Sequence, residues 1–512
     1  MIAISAKFTL LPIRYFAAVA AITAFAATLV TAQTFFGSIV GTVTDSSGAG
    51  VAASKVTLTN SATNETRSVE SGAAGNYEFL NLVPGTYKID FEKPGFKRFT
   101  KDSIQVVVQA SVRVDAQMQV GDIGQSIEVS AQALALQTET ATISQAVEGR
   151  NVTDMPLNGR NVYSLVALVP GVVTEATSTA FQIGGGMANA SAVYVDGVPM
   201  NTGYAAQTVA APTQDTIEEF RVQTNSATAE FGRYSGGVIT LSSKTGTNEF
   251  HGTAYEFLRN KYLNANTFFS NRSGLARVPF TQNQFGGTTG GPIRKNKTFF
   301  FGSYEGFYQR TATTYVLNTP TPQMLGGDFS QLLTAPGGPT PIFDPLSSTT
   351  GTNRSPFPGN IIPANRLDPT ALILSKIQWN TPNQPGLTNN FVNNASSGST
   401  TQTLNGSVDH NLSDKQRLFA RFNYQASTPV LVSPYDNSEF TLGTRKTPAD
   451  TAVAGETWTI SPTLIADIRA SYLRNHNTRY PNQLGVDLTT VGWPAIYNEE
   501  DTVHTLPQLC VT

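Results

Sequence analysis

The sequence predicts a mainly β, exported protein: an N-terminal β-sandwich, a small α+β domain, then the first strands of a transmembrane antiparallel β-barrel, left incomplete. Three observations predict it. Charged residues make up only 14% of the 512-residue chain, about half the usual share of a soluble protein, while Phe and Tyr number 29 and 17. Short β segments punctuated by Gly and Pro fill the region after the N-terminus. In the second half, segments that alternate apolar and polar residues are joined by short turns on one side and very long polar loops on the other. With 34 basic and 36 acidic residues the formal charge is −2, which leaves no footprint for nucleic acid.

The N-terminus carries an export signal. Lys7 and Arg14 supply positive charge, residues 15–30 form an Ala-rich apolar run, and Thr31-Ala32-Gln33 ends it in small residues. This is the pattern of a signal peptide over residues 1–32, cleaved after Ala32 or Gln33, with a retained membrane helix as the alternative. No Cys stands there to take a lipid anchor. No later stretch reaches the ~20 apolar residues of a spanning helix, so membrane residence falls to strands. Cys510, the sole cysteine, excludes internal disulfides and Cys-based metal sites.

Residues 34–120 read as the sandwich. Residues 37–43 alternate into a strand, and Thr44-Asp45-Ser46-Ser47-Gly48 turns the chain. Val56 and Leu58 share a face, Tyr77-Glu78-Phe79 follows a second turn, and residues 86–91 and 104–118 supply further strands. Gly41-x-Val43-x-Asp45-x-x-Gly48, Gly75-x-Tyr77-x-Phe79-x-x-Leu82-x-Pro84-Gly85-x-Tyr87 and Pro94-Gly95-Phe96 together resemble the carboxypeptidase regulatory-like domain. The resemblance implies an accessory domain, with no peptidase activity, since no zinc-ligand arrangement accompanies it. Tyr77, Phe79 and Tyr87 are either sandwich core or a carbohydrate platform. Residues 121–131 form a linker. Within it, Ile127-Glu128-Val129-Ser130-Ala131 is extended, and reads either as the last strand of the sandwich or as a segment to which a partner adds a strand.

Residues 132–246 read as the α+β domain. Val162, Leu165, Val166 and Val169 fall at helical spacing between Asn161 and Pro170-Gly171. A strand then ends in the Asp196-Gly197 turn, and a helical turn at Thr216 runs into a further strand. In order, Leu157-Asn158-Gly159-Arg160-Asn161, Val195-Asp196-Gly197-Val198, Ile217-Glu218-Glu219-Phe220-Arg221-Val222 and Phe231-Gly232-Arg233-Tyr234-Ser235-Gly236-Gly237-Val238 resemble the plug of TonB-dependent outer-membrane receptors. Asn248-x-Phe250-His251-Gly252 is similar to the Oar-like branch, in which a regulatory-like module precedes the plug. The resemblance implies a TonB-type periplasmic energy-coupling protein as partner, with residues 127–131 as the candidate Ton box. It also implies residence in outer-membrane lipid and an extracellular ligand, of glycan or peptide class. Arg160, Glu218, Glu219, Arg221 and Arg233 are either ties between plug and wall or solvated charges. Arg160 and Arg233, in glycine-containing turns, favour the first role.

Residues 247–512 read as the barrel portion. Leu418, Ala420, Phe422 and Tyr424 oppose Arg421, Asn423 and Gln425; Leu464, Ala466, Ile468, Ala470 and Tyr472 oppose Asp467, Arg469 and Ser471; Leu404 and Val408 oppose Asn405, Ser407 and Asp409. Residues 299–308 carry aromatics on both faces, which leaves their lipid side open. Residues 411–416 and 461–463 are short connections, and residues 311–403 form a long loop; residues 354–369 within it resemble an Oar-type extracellular loop. About seven candidate strands, against about 22 in the family's barrels, and no terminal aromatic strand lead to the expectation of a truncated or fragmentary chain.

No phosphate loop, nucleophile elbow or histidine ligand spacing occurs, so neither enzyme nor cofactor is expected. His251 lies near Glu249 and Glu256 and reads as a polar contact at a strand start. The expected function is TonB-dependent passage of a large substrate, inward or outward, through a plugged barrel. The rival is a non-transporting surface protein for adhesion or glycan binding.

Overall fold

The computed structural model describes residues 35–498 except 123–125, 131–138, 140–141, 156, 175–180, 203–207, 226, 228–230, 233, 273, 275, 336, 349, 351–352, 431–434, 436–443, 462–463 and 481–483. The expected signal peptide, Ala131 and Arg233 lie outside the described residues.

The N-terminal module folds as two packed sheets. Strands β1 (Gly37–Thr44), β2 (Lys55–Asn60), β3 (Thr66–Glu70), β4 (Asn76–Leu82), β5 (Gly85–Glu92), β6 (Arg98–Val106), β7 (Ser111–Arg113), β8 (Ala116–Gln117) and β9 (Ser126–Ser130) follow in chain order. One sheet has the order β4-β1-β7, with β8 also on β1; the other runs β3-β2-β5-β6-β9. The period-two pattern of each strand sends one row of side chains between the sheets. Ile39, Val43, Val56, Leu58, Ile89 and Phe91 are thereby buried. Burying each such side chain contributes about 1.5–3 kcal/mol. The rings of Tyr77, Phe79 and Tyr87 lie in this core rather than on a platform. Tyr77 stands edge-on to Phe91 and its hydroxyl donates to the Val114 carbonyl. Burial pushes the Tyr87 phenol up to about 12. Strand β9 pairs parallel to β6 and forms the edge of its sheet.

The central domain follows with β10 (Ile143–Glu148), β11 (Val172–Thr174), β12 (Phe181–Ile183), β13 (Ala192–Val195), β14 (Val198–Pro199), β15 (Ile217–Asn225) and β16 (Val238–Ser243). Five of these make a sheet in the order β10-β15-β16-β13-β14. The helical segment at Val162–Leu168 is a 3₁₀ helix, capped by Asn161, whose side chain accepts from the Tyr163 N–H, and halted before Pro170. Its Val162, Leu165 and Val166 pack on Phe220, Val222, Ile239 and Leu241 of the sheet. The same cluster takes in Phe419, Ala449 and Val453 of the strands that come next, so the core of this domain runs into the wall around it.

The wall is one antiparallel sheet in which every strand pairs with its neighbour in sequence: β17 (His251–Asn260), β18 (Phe280–Arg294), β19 (Thr298–Leu317), β20 (Phe391–Ser413), β21 (Gln416–Val430), β22 (Thr444–Ser461) and β23 (Leu464–Asn475), with short β24 (Thr478–Tyr480) on β22. Among the described residues β17 and β23 do not pair, and the sheet is open. Leu404, Val408, Leu418, Phe422, Ile468 and Tyr472 are exposed on the outer face, whereas Ser407, Asp409, Arg417 and Phe419 are buried on the inner one. In β19 the odd positions Phe299, Phe301, Ser303 and Glu305 are buried and Tyr304 is exposed, which assigns the faces that aromatics on both sides had left open.

The long loop is shorter than the sequence suggests. Residues 311–317 continue β19 and residues 391–403 belong to β20, with Leu317 opposite Phe391. At about 3.3 Å per residue, the 20 residues of β19 reach roughly 66 Å, twice the hydrocarbon thickness. The outer halves of β19 and β20 have no lipid to face, so Thr, Ser and Asn replace the apolar alternation there. Between them Asn360, 2% exposed, organises the connection by donating to the carbonyls of Phe329 and Thr340. The helix Pro369–Gln378 packs Leu374 on Leu488 and Val491. Among the described residues no helix is long and apolar enough to cross a membrane.

Candidate functional site

The residues singled out in the central domain gather where that domain meets the wall. Two turns make the contact. The first is Asn158-Gly159-Arg160-Asn161. Arg160 holds a positive φ of 51°, and its guanidinium pairs with Asp215 of the same domain at 2.5 Å. It lies 3.9 Å from Glu305 on β19, and 4.7 and 5.0 Å from the ring centroids of Tyr255 and Phe257 on β17. Tyr255 donates to Glu305 at 2.7 Å, so cation, ring and carboxylate form one mostly buried group. Beside it, the Asn158 side chain accepts from Arg259, and the Gly159 carbonyl accepts from Gln284 at 3.2 Å. Asn161 caps the 3₁₀ helix and so fixes the turn's exit.

The second turn is Asp196-Gly197, between β13 and β14. Asp196 accepts from the Ser243 N–H at 2.9 Å and lies 4.0 Å from Arg421 on β21. Gly197 has φ of 80°, which favours glycine, and it sits against the Arg469 guanidinium of β23, which a Cβ would have to displace. On the wall, Asp409 bridges Arg417 at 2.5 Å and Arg421 at 2.9 Å. This buried triad keeps Arg421 aimed at the turn. A cavity of about 50 Å³ lies between turn and wall. Ser407 Oγ, Asn423 Oδ1 and Thr451 Oγ1, on its lining residues, have no hydrogen-bond partner among the described residues, a lining that suits water.

The remaining residues fall elsewhere. Glu219 and Arg221 are buried on β15, facing the N-terminal module rather than the wall. Glu219 accepts from the Val108 N–H, and Arg221 donates to the Val108 carbonyl at 3.0 Å and to Ser144 Oγ at 2.6 Å. Burial pushes Arg221 down to about 10, partly offset by Glu219, so it stays cationic at neutral pH. Glu218 is exposed and lines a polar cavity of about 380 Å³ where module, central domain and wall meet. Gly232 is exposed, and Gly236 and Gly237 pack closely against Ala190 and Ile183. His251 contacts the Glu249 carbonyl at 3.0 Å. Among the described residues no group of His, Cys, Asp and Glu could hold a metal ion.

Sequence reasoning missed Asp215, Glu305 and Tyr255, and placed Asp409 on the polar row of its strand without its arginine partners. For Tyr255, Glu305 and Asp409 the signal was a polar position on a wall strand, which marks the inner face but not the partner; Asp215, in the short turn Gln214–Thr216, carried no periodic signal.

Three family descriptions match the chain. Residues 242–512 match the outer membrane beta barrel domain, residues 136–238 the TonB-dependent receptor plug domain, and residues 38–119 the carboxypeptidase regulatory-like domain. Among curated proteins, the TonB-dependent transporter Oar of Myxococcus xanthus is 26% identical over 297 residues, covering 55% of this chain and 27% of that protein. The chain thus spans about a quarter of that relative's length. Among solved structures, the siderophore receptor PirA from Pseudomonas aeruginosa is 12% identical, with 67% of this chain and 42% of that chain covered at a TM-score of 0.39. The outer membrane transporter YddB from Escherichia coli is 12% identical, with 66% and 39% covered at 0.39.

Proposed function

Because the chain belongs to the outer-membrane β-barrel family and carries a TonB-dependent receptor plug domain ahead of its wall, it resides in the outer membrane, and we propose that it serves a plugged receptor for a large extracellular ligand. The ligand, of glycan or peptide class, binds the loops and the plug's outer end. A TonB-type periplasmic protein then pulls on the chain ahead of the plug, and a path opens along the seam for uptake or export. No covalent chemistry enters this reading.

The observation that carries it is the pair of turns at Arg160 and Asp196, which hold the plug through polar contacts beside a cavity that suits water. Phe419, Ala449 and Val453 of the wall add a small apolar contact to the plug's core, but at these two turns a wet seam exchanges protein partners for water at small net cost. Residues 127–130 lie in β9, the last strand of the sandwich, and the strand's place there supports them as the site of pulling. It lies at a sheet edge, where a partner strand can add by β-augmentation.

The test is cross-linking in cells from single cysteines at Ile127 and Val129, in a chain with Cys510→Ser. The proposal expects adducts with the periplasmic energy-coupling protein at these positions and none from a cysteine at Thr57 on β2. Equal labelling at both places, or none at either, would overturn it.

A further inference from the structure

The loop joining β6 to β7, residues 107–110, is a connection, yet Val108 is fully buried. Its surroundings explain why. Glu219, Arg221 and Gln223 alternate along β15 and therefore share one face. Glu219 takes the Val108 N–H, and Arg221 takes the Val108 carbonyl at 3.0 Å. Gln223 donates to Gln109 Oε1 at 2.9 Å, and Thr240 of neighbouring β16 donates to the same oxygen at 3.2 Å. Gln109 is held at a positive φ of 54°. All four receiving side chains are at most 4% exposed. A carboxylate and a guanidinium are retained in such a place only when their hydrogen-bonding capacity is met, and here the module's main chain meets part of it.

The same loop touches the wall through Phe35 and Phe36, just ahead of β1. Phe35 and Phe36 are buried with Val108, their centroids 4.5 Å apart. Arg469 of β23 lies over both rings, at 4.7 and 5.0 Å. Arg469 also pairs with Asp467 at 2.7 Å, which fixes its direction. At the rim, Asn64 donates to Asn296 at 3.2 Å and the Asn248 N–H donates to the Ala62 carbonyl at 3.1 Å.

We propose that the β15 face formed by Glu219, Arg221 and Gln223 is a docking surface for residues 107–110 of the module, and that the module so docked is a latch bridging plug and wall. On the plug side the grip is buried and charged. On the wall side, apart from the aromatic pair under Arg469, it is exposed amides. The latch therefore opens at the wall first, and the module leaves with the plug. What the latch regulates rests on the plugged-receptor reading; the contacts themselves do not, and the test reads them directly.

Hydrogen exchange on the purified full chain in detergent distinguishes the outcomes. In the wild type, the 107–110 amides exchange as slowly as those of β5. Glu219→Gln accelerates exchange at 107–110 by about tenfold or more, while β5 stays protected, since docking opens without the module unfolding. The Phe35→Ala, Phe36→Ala variant removes only the wall-side grip and accelerates exchange along β23 around Arg469, while the β15 amides, those of Glu219 and Arg221 included, stay protected. Fast exchange at 107–110 in the wild type, or unaltered exchange in both variants, overturns the latch. A short bifunctional cross-link between cysteines at Gln109 and Gln223, in the Cys510→Ser chain, guards against a misfolded variant: it forms in high yield if the loop is docked and fails if it is not. Cross-linking at Ile127 and Val129 is unaffected by either result, so the latch and the plugged-receptor reading fail separately.

Discussion

Arg160 and Gly197 are the two residues on which the seam turns, and each makes a different demand. Arg160 meets Asp215, Glu305 and two rings at once, so lysine cannot replace its planar fork. Arg160→Ala leaves two largely buried carboxylates without their cation, and the expected loss is about 3 kcal/mol, with Arg160→Lys intermediate. The loss is read as a lower temperature for the gel-mobility shift of the folded form. Gly197 and Gly185 share a left-handed backbone, with φ of 80° and 79°, but a Cβ at 197 meets Arg469 and one at 185 meets nothing. Alanine at 185 therefore costs only the backbone strain of about 1–2 kcal/mol, and alanine at 197 costs more. Equal losses would show that Arg469 yields freely. In the outer loop, Arg366 holds Asp344 below the usual carboxylate range through bonds of 2.8 and 3.1 Å. Because the folded pKa is depressed, this ordering is fully present above the ordinary value of 3.8 and is lost as pH falls through the lower folded value. Protease clipping of residues 342–366 should rise below about pH 4, and Arg366→Gln should already show the rise at neutral pH.

Alternation made β21 and β23 legible, because each sends one row to lipid and one to the plug. Strand β18 was not legible, and the reason is physical. Gly286, Gly287, Gly290 and Gly291 give it no pattern, since their neighbours fill the space instead. Tyr255 lies over Gly286 and Phe250 over Gly291, while Phe285 of β18 itself covers Gly306 on β19. The information sits on the adjacent strands, where a reading of one segment does not find it. The consequence is directional. Gly286→Val meets the Tyr304 carbonyl of β19 and the Tyr255 hydroxyl together, so it strains the sheet and also pushes Tyr255 off its place beside Arg160 and Glu305, at an expected cost of about 1–3 kcal/mol. Gly287→Val meets the Thr253 carbonyl rather than a ring and should leave the Arg160 group in place, even if it weakens the sheet. Tyr255 fluorescence or its ring resonances separate the two effects.

For the whole molecule, the order of sandwich, plug domain and wall could be read from motifs, and the docking of the first on the second could not. The residues that meet, Val108 and Arg221, are 113 positions apart and share no local period. Orientation, by contrast, follows from connection length. The wall's turns at 295–297 and 414–415 are short and lie at the end where Asn64 of the module meets Asn296; the opposite end carries the extended halves of β19 and β20. Short turns face the periplasm and long connections the exterior. A cysteine at Thr314, high on β19, should therefore react with a membrane-impermeant maleimide on intact cells expressing the Cys510→Ser chain. A cysteine at Asp414 should react only after the outer membrane is opened. Labelling at Asp414 but not Thr314 would invert the wall and place the module on the outside, where no periplasmic partner could reach β9.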